Sequence, residues 1–128
     1  MGELNYFFDT YALHKISQGD SSYASYTKDV NIATTRLNLM ELYYGYIARG
    51  EMDTAETLFG YFKQFCVRID DETVKEAMRE RSRLKKNTKG CNVSYVDCIG
   101  YIVARKLNLR FLTGDKEFEG LENVEFVK

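Results

Sequence analysis

The chain has 128 residues, a length that suits one hydrophobic core and is short for two. Hydrophobic residues make up 45% of it and charged residues 29%, which is typical of a globular protein that folds in water. The formal net charge of −1 argues against nucleic-acid binding by overall charge alone, although it allows a local basic patch.

The sequence also predicts a compartment. No apolar run approaches the roughly 18 residues needed to cross a bilayer, and the N-terminus lacks the basic and apolar regions of a signal peptide. The three cysteines, Cys66, Cys91 and Cys98, form no CxxC pair and cannot all pair internally, which favours reduced thiols. We therefore predict one domain over residues 1–128, in the cytoplasm and without a membrane.

Strand-like and helix-like segments alternate in the first part of the chain. Leu4–Phe8 is apolar and aromatic, which predicts a strand buried on both faces. Asp9 follows directly, before a predicted helix over 10–16, where Asp9 or Thr10 could be an ordinary N-cap. A second strand is predicted over 30–34.

The next predicted helix begins after Thr35, a suitable N-cap, and carries an acidic residue that needs an explanation. Glu41 falls on or beside the predicted apolar stripe of this helix, so its carboxylate either reaches solvent at the edge or faces a cation. The sequence leaves both alternatives open. The stripe consists of Leu37, Met40, Tyr44, Ile47 and Ala48, at spacings of three and four.

The middle of the chain predicts two more helices and a strand. Residues 52–65 form a helix with an aromatic face for the core or an oligomer interface, and residues 66–69 form a short strand. Asp70 and Asp71 open the next helix as a cap and as favourable charges. Its far end is basic, and such a run is either a solvated face or a patch that contacts phosphates. The candidates for RNA contact are Arg83, Lys85 and Lys86.

An almost wholly apolar helix, begun by Ser94, is the centre of the predicted fold. Asp97 stands in its first turn, where the Ser94-x-x-Asp97 spacing matches a capping box. A strand over 110–113 follows, and Asp115 lies in the turn just beyond it, where an aspartate is common. A last strand is predicted over 124–127.

Alternating strands and helices predict a parallel sheet with helices on both faces, and in such sheets ligands bind at the carboxyl ends of the strands. Asp9 and Asp115 follow strands at that edge, while Glu41 and Asp97 lie on adjoining helices. Clustered carboxylates repel one another unless cations neutralise them. Oxygen ligands favour Mg²⁺ or Mn²⁺, which promote attack of water on phosphodiesters.

These segments resemble the PIN-domain ribonucleases, particularly the VapC toxins of VapBC toxin–antitoxin pairs, over essentially the whole chain. The resemblance implies a three-layer α/β/α sandwich with a five-stranded parallel sheet. It also implies that Asp9, Glu41, Asp97 and Asp115 are the catalytic residues and ligands of Mg²⁺ or Mn²⁺. The matching pieces are Phe7-Phe8-Asp9-Thr10, Leu39-Met40-Glu41-Leu42 with Gly45, Asp97 with Ala104-Arg105, and Leu112-Thr113-Gly114-Asp115-Lys116-Glu117-Phe118.

The same resemblance implies an RNA substrate, an antitoxin protein as partner and a homodimer. Thr10 and Thr113 are secondary candidates for the site. Tyr11 stands where the family often has asparagine, and residues 98–101 are less uniformly small and aliphatic than usual; neither departure removes a metal ligand.

Two other functions are open to this sequence. The fold could serve as an RNA-binding or protein-interaction module with weak catalysis, although all four acids are present. An aspartyl phosphotransferase with Asp9 as nucleophile is disfavoured, because Asp9-Thr10-Tyr11 lacks the Asp-x-Asp pattern.

Overall fold

The computed structural model describes residues 4–28 and 30–128, and it centres on a parallel sheet. The strands are β1 (Leu4–Phe8), β2 (Val30–Ala33), β3 (Arg110–Thr113) and β4 (Val124–Phe126). Their order in the sheet is β2-β1-β3-β4, and Phe7 in the central strand β1 pairs with Ala33 of β2 and with Phe111 of β3.

Five α-helices and three short 3₁₀ helices connect these strands in the described residues. The α-helices are α1 (Thr10–Ser17), α2 (Arg36–Ala48), α3 (Met52–Phe62), α4 (Asp71–Asn87) and α5 (Tyr95–Lys106). The 3₁₀ helices are Ser21–Thr27, Lys63–Phe65 and Lys116–Phe118. In this part of the chain, no helix combines the length and apolarity of a membrane span.

Helices cover both faces of the sheet, which confirms the predicted sandwich. Because side chains alternate along a strand, Phe7 packs into a cluster with α4 and α5, whereas Phe8 packs into a second cluster with α1, α2 and α3. On β3, Phe111 likewise packs into the first cluster and Leu112 into the second. The central strands are therefore buried on both sides, as their continuous apolar runs predict.

The prediction of a fifth strand over 66–69 is wrong. In the described residues the sheet has four strands, and this segment contributes one parallel bridge between Thr34 and Cys66. The Thr34 backbone N–H donates to Phe65 and its carbonyl accepts from Val67, at 3.0 and 2.9 Å. The chain then leaves the edge because Asp70 begins α4 three residues later, accepting from the Thr73 N–H at 2.8 Å.

The predicted buried stripe of α2 is also wrong in part. Met40 and Tyr44 are 53% and 68% exposed. The buried residues are Asn38, Leu39, Leu42 and Tyr46. Apolar side chains occur around the whole of α2, so periodicity alone does not choose its inner face; packing against α1 and α3 does.

Candidate active site

One open cavity, of about 560 Å³, collects all four predicted acidic residues. Asp9 and Asp115 reach it from the carboxyl ends of β1 and β3, while Glu41 comes from α2 and Asp97 from the first turn of α5. We call this the acidic cavity. Four segments that are distant in sequence therefore place their carboxylates around the same space.

Asp9 is the most deeply placed of the four, with 1% of its surface exposed. It is the N-cap of α1, because its Oδ1 accepts from the Ala12 N–H at 2.8 Å. Burial raises the pKa of Asp9 to about 8, against the opposing effect of hydrogen bonds from the Thr113 hydroxyl and Ala12. Capping and membership of the acidic cavity are thus compatible roles for this residue.

Asp97 has the other strongly perturbed carboxyl group. Burial raises its pKa to about 7, a hydrogen bond from Ser94 lowers it, and the charges of Asp115 and Glu41 raise it further. The predicted cap is present too, since the Asp97 N–H donates to Ser94 Oγ at 3.0 Å.

Asp115 is held by the tight turn after β3. Its N–H donates to Thr113 Oγ1 and its Oδ1 accepts from the Glu117 N–H, both at 3.0 Å. A Cβ on the neighbouring Gly114 would lie 2.2 Å from the Tyr11 ring, so only glycine fits beneath that ring. Tyr11, which departs from the family pattern, therefore packs against a glycine in the turn that carries Asp115.

Glu41 is half-buried and is held by a chain of side-chain hydrogen bonds. The Thr10 hydroxyl donates to Glu41 Oε1 at 2.6 Å and accepts from Asn38 Nδ2 at 3.1 Å. Asn38 is fully buried, and its Oδ1 accepts from the Thr35 hydroxyl at 2.6 Å. Asn38 was not predicted from the sequence, although the three-residue spacing of Thr35, Asn38 and Glu41 places them along one side of a helix.

Two lysines that the sequence analysis did not assign to the site also line the acidic cavity. Lys116 follows Asp115 directly, and Lys128 comes from the segment after β4. Their positive charges stand beside the carboxylates, where they can contact an anionic substrate. Lys116 could have been predicted as a site residue because it is adjacent to Asp115 in the sequence. Lys128 could not, because only the fold brings it to the cavity.

The donor set of the acidic cavity suits a hard cation. No group of three or more histidine, cysteine, aspartate or glutamate residues among positions 4–28 and 30–128 is arranged to hold a metal ion. Mg²⁺, however, is commonly bound by one or two carboxylates, with waters and substrate phosphates completing its shell. The carboxylates of Asp9, Glu41, Asp97 and Asp115 around one open space fit that kind of incomplete site.

The predicted RNA-contact residues lie outside the acidic cavity. Arg83, Lys85 and Lys86 are exposed near the end of α4. Arg83 pairs with the buried Glu80, and Lys85 donates to the Cys91 carbonyl at 3.3 Å. The basic run therefore adjoins the segment that leads into Ser94 and α5.

Comparison with known proteins gives a match to a family and to several structures. The PIN domain model matches residues 6–124, whereas a comparison with curated proteins found no match. VapBC2 from Rickettsia felis, bound to a promoter DNA fragment, is 18% identical with a TM-score of 0.74, covering 97% of this chain and 98% of that one.

Two further structures give the same result. DNA-bound VapBC from Salmonella typhimurium is 18% identical with a TM-score of 0.74, covering 97% of each chain. VapC20 from Mycobacterium tuberculosis, described as a sarcin–ricin loop cleaving toxin, is 16% identical with a TM-score of 0.73, covering 95% of this chain and 96% of that one. The structural likeness and the family match over almost the whole length agree, and the chain belongs to the PIN-domain family.

Proposed function

We propose that this protein is an endoribonuclease that depends on Mg²⁺ or Mn²⁺ bound in the acidic cavity. The observation that carries the proposal is the meeting of four carboxylates, from four separate segments, around one open space. A fold has no structural need for this arrangement, because burying like charges together is costly without a cation.

The proposed reaction is hydrolysis of an RNA phosphodiester, in which water adds to phosphorus and one P–O bond breaks. A bound metal ion would supply positive charge that activates water and stabilises the leaving oxygen. Asp9, Asp97 and Asp115 would hold the ion, together with Glu41. Thr10 and Thr113 are positioning residues, because Thr10 donates to Glu41 and the Thr113 hydroxyl accepts from the Asp115 backbone N–H.

The biological setting is proposed from the family. The similar structure from M. tuberculosis is described as an RNA-cleaving toxin, and the structures from R. felis and S. typhimurium are toxin–antitoxin complexes bound to DNA. We infer a toxin with an RNA substrate, an antitoxin partner and a homodimeric state, in the cytoplasm. We also infer that residues 1–128 make one PIN-like domain, which the match over 6–124 supports.

A second candidate function is a catalytically weak PIN-fold module that binds RNA or another protein. It is favoured by the lack, in the described residues, of three acidic, histidine or cysteine side chains already arranged around a metal position. The two functions differ in one observable: a binding module retains RNA without cleaving it, whatever cation is supplied.

Asp97→Asn is the direct test of the acidic cavity. Asparagine can still stand in the first turn of α5, but it lacks the charge that a metal ligand needs. We expect wild-type cleavage of RNA to require Mg²⁺ or Mn²⁺ and to stop with chelator, and Asp97→Asn to lose at least about 100-fold in rate, as for removal of a principal electrostatic contribution. Gel analysis of labelled RNA measures both.

Asp53→Asn is the matched control, because Asp53 is an exposed aspartate in the first turn of α3 and lies outside the acidic cavity. It should cleave at the wild-type rate. Wild-type speed in Asp97→Asn would make Asp97 only a helix-capping residue. RNA binding without cleavage by the metal-loaded wild type would favour the module instead.

A further inference from the structure

We propose that a pocket between α1 and α2, next to the acidic cavity, binds one nucleobase of the RNA substrate and thereby positions the phosphodiester at the carboxylates. The inference rests on the proposed function and adds a base-binding subsite to it. Its volume is about 420 Å³, within the range of roughly 300–1,000 Å³ typical of small-molecule sites.

The pocket and the acidic cavity share a wall. Thr10, Tyr11 and Glu41 line both spaces. A group seated in the pocket is therefore a direct neighbour of a group at the carboxylates, as a base and its own phosphate are neighbours in a nucleotide. An occupant unconnected with the reaction would not need this continuity.

The lining suits a flat, aromatic group on an anionic backbone. The pocket surface is mainly apolar, and the half-buried Tyr11 and His14 contribute rings to it, whereas the Tyr46 ring in the lining is only 4% exposed. The His14 and Tyr46 rings stand 5.5 Å apart, and the Arg49 guanidinium lies 4.9 Å from the centre of the Tyr46 ring. Aromatic side chains stack on bases of any sequence, and Arg49 adds a positive charge for a phosphate.

Two features favour RNA over a segment of a protein partner. Arg49 is about half exposed at the pocket, and its one ion pair in the described structure, with Glu51 at 3.3 Å, is a surface contact that a phosphate can replace. Glu41, with its fixed hydrogen bond from Thr10, borders the pocket on the side of the acidic cavity. Glu41 and Arg49 thus stand at opposite ends of the pocket along α2, so a base seated there has the carboxylates on one side and a cation for a flanking phosphate on the other.

Gly45 allows the pocket to be filled without breaking a contact. It lies in α2 on the pocket lining, and a Cβ added there meets no atom within 4 Å. In Gly45→Leu the new side chain occupies space that the base would use, and leucine is the better helix former. Gly60→Leu is the matched control, since Gly60 is exposed in α3, equally open around its Cβ and outside the pocket.

The experiment compares binding of labelled single-stranded RNA with binding of an abasic ribose-phosphate strand of equal length, by fluorescence anisotropy. All proteins carry Asp97→Asn so that RNA is not consumed. Stacking of one base corresponds to about 10-fold to 100-fold in affinity. We expect the parent and Gly60→Leu to prefer RNA over the abasic strand by this factor, and Gly45→Leu to lose the preference.

A second variant separates stacking from charge. Arg49→Gln should weaken both strands equally and reduce the salt dependence of binding by about one phosphate contact. The proposal is overturned if the parent protein does not distinguish the two strands, or if Gly45→Leu retains the full preference, which would leave the pocket to a protein partner. Failure of the nuclease proposal would show separately, as the lack of metal-dependent cleavage by the wild type.

Discussion

The Thr10 hydroxyl connects the buried hydrogen-bond network of α2 to the acidic cavity. It accepts from Asn38 and donates to Glu41, so one oxygen fixes both the position and the hydrogen bonding of a proposed metal ligand. Asn38 is itself fixed by Thr35, the N-cap of α2. Through Asn38 and Thr10, the N-cap of α2 thereby helps to fix the Glu41 carboxylate, nearly two turns further along the same helix.

Thr10→Val should show what this hydroxyl contributes. Valine keeps the shape but removes a donor and an acceptor, and it leaves the Asn38 amide with one partner fewer. We expect about 1–3 kcal/mol of lost stability and about a 10-fold loss of cleavage rate. Thr57→Val, at an exposed position of α3, is the control and should change neither quantity. Equal urea-unfolding curves and equal rates for the two variants would contradict the positioning role.

At the scale of elements, the contact between α1 and the turn after β3 shapes the acidic cavity. The Tyr11 ring covers Gly114, and the two residues stand beside Asp9 and Asp115 in the same lining. Nothing local in either segment requires this contact. It follows from the parallel pairing of β1 with β3, which brings their carboxyl ends side by side.

Gly114→Ala tests that contact. The added methyl would overlap the Tyr11 ring, and overpacking of this kind costs about 1–3 kcal/mol. Removing the ring as well, in Gly114→Ala with Tyr11→Ala, should restore part of the lost stability, because the clash has gone. Gly60→Ala, which is free of neighbours, should instead gain about 0.5–1 kcal/mol from helix propensity. Additive losses in the double variant would show that the two residues do not interact.

The basic end of α4 carries a prediction about RNA affinity. Arg83 is partly neutralised by Glu80, yet all three candidate side chains remain exposed and can meet phosphates without reading sequence. Changing Arg83, Lys85 and Lys86 together to glutamine should weaken binding to every RNA and reduce the salt slope by up to about 2, the value for three single-strand contacts.

A charge-matched triple variant controls for the loss of three positive charges. Lys28, Lys63 and Lys75 are exposed on other segments, and their change to glutamine lowers the net charge by the same amount. It should leave the salt slope near that of the wild type. The same slope in both triple variants would make the α4 run a solvated face, with RNA bound elsewhere.

At the scale of the whole molecule, the features that could be predicted from the sequence are those set by residues close together in the chain. The caps at Asp9, Thr35, Asp70 and Ser94 were predictable because each needs only a side-chain oxygen close to the next turn. The buried helix α5 was predictable from its continuous apolar run.

The features that were predicted wrongly, or not at all, depend on contacts between segments that are distant in the chain. The inner face of α2 is chosen by α1 and α3, and the segment at 66–69 touches the sheet for one residue only, because α4 begins so soon after it. The contact of Tyr11 with Gly114 joins residues about a hundred positions apart, and no spacing rule reports it.

The stability of the whole fold should rise when a metal ion binds in the acidic cavity. Burial raises the pKa values of Asp9 and Asp97 to about 8 and 7, so ionising the metal-free site at neutral pH costs stability. A cation that binds only the native state offsets that cost by RT ln(1 + [L]/Kd), about 1.4 kcal/mol at ten times Kd. For a domain of this size, we expect millimolar Mn²⁺ to raise the Tm by roughly 3–6 °C.

The effect of metal should also depend on pH and on the ligands. Because the folded-state pKa values lie above the unfolded value of about 3.9, stability without metal falls as pH rises from about 4 to 8. The Mn²⁺ shift should therefore be larger at pH 8 than at pH 6, where protons compete with the metal. Asp53→Asn should keep the shift, and Asp97→Asn should lose most of it. Thermal melts of the wild type and both variants, at pH 6 and pH 8, with Mn²⁺ or with chelator, measure these shifts. A wild-type Tm that millimolar Mn²⁺ leaves unchanged at both pH values would contradict a shared metal site.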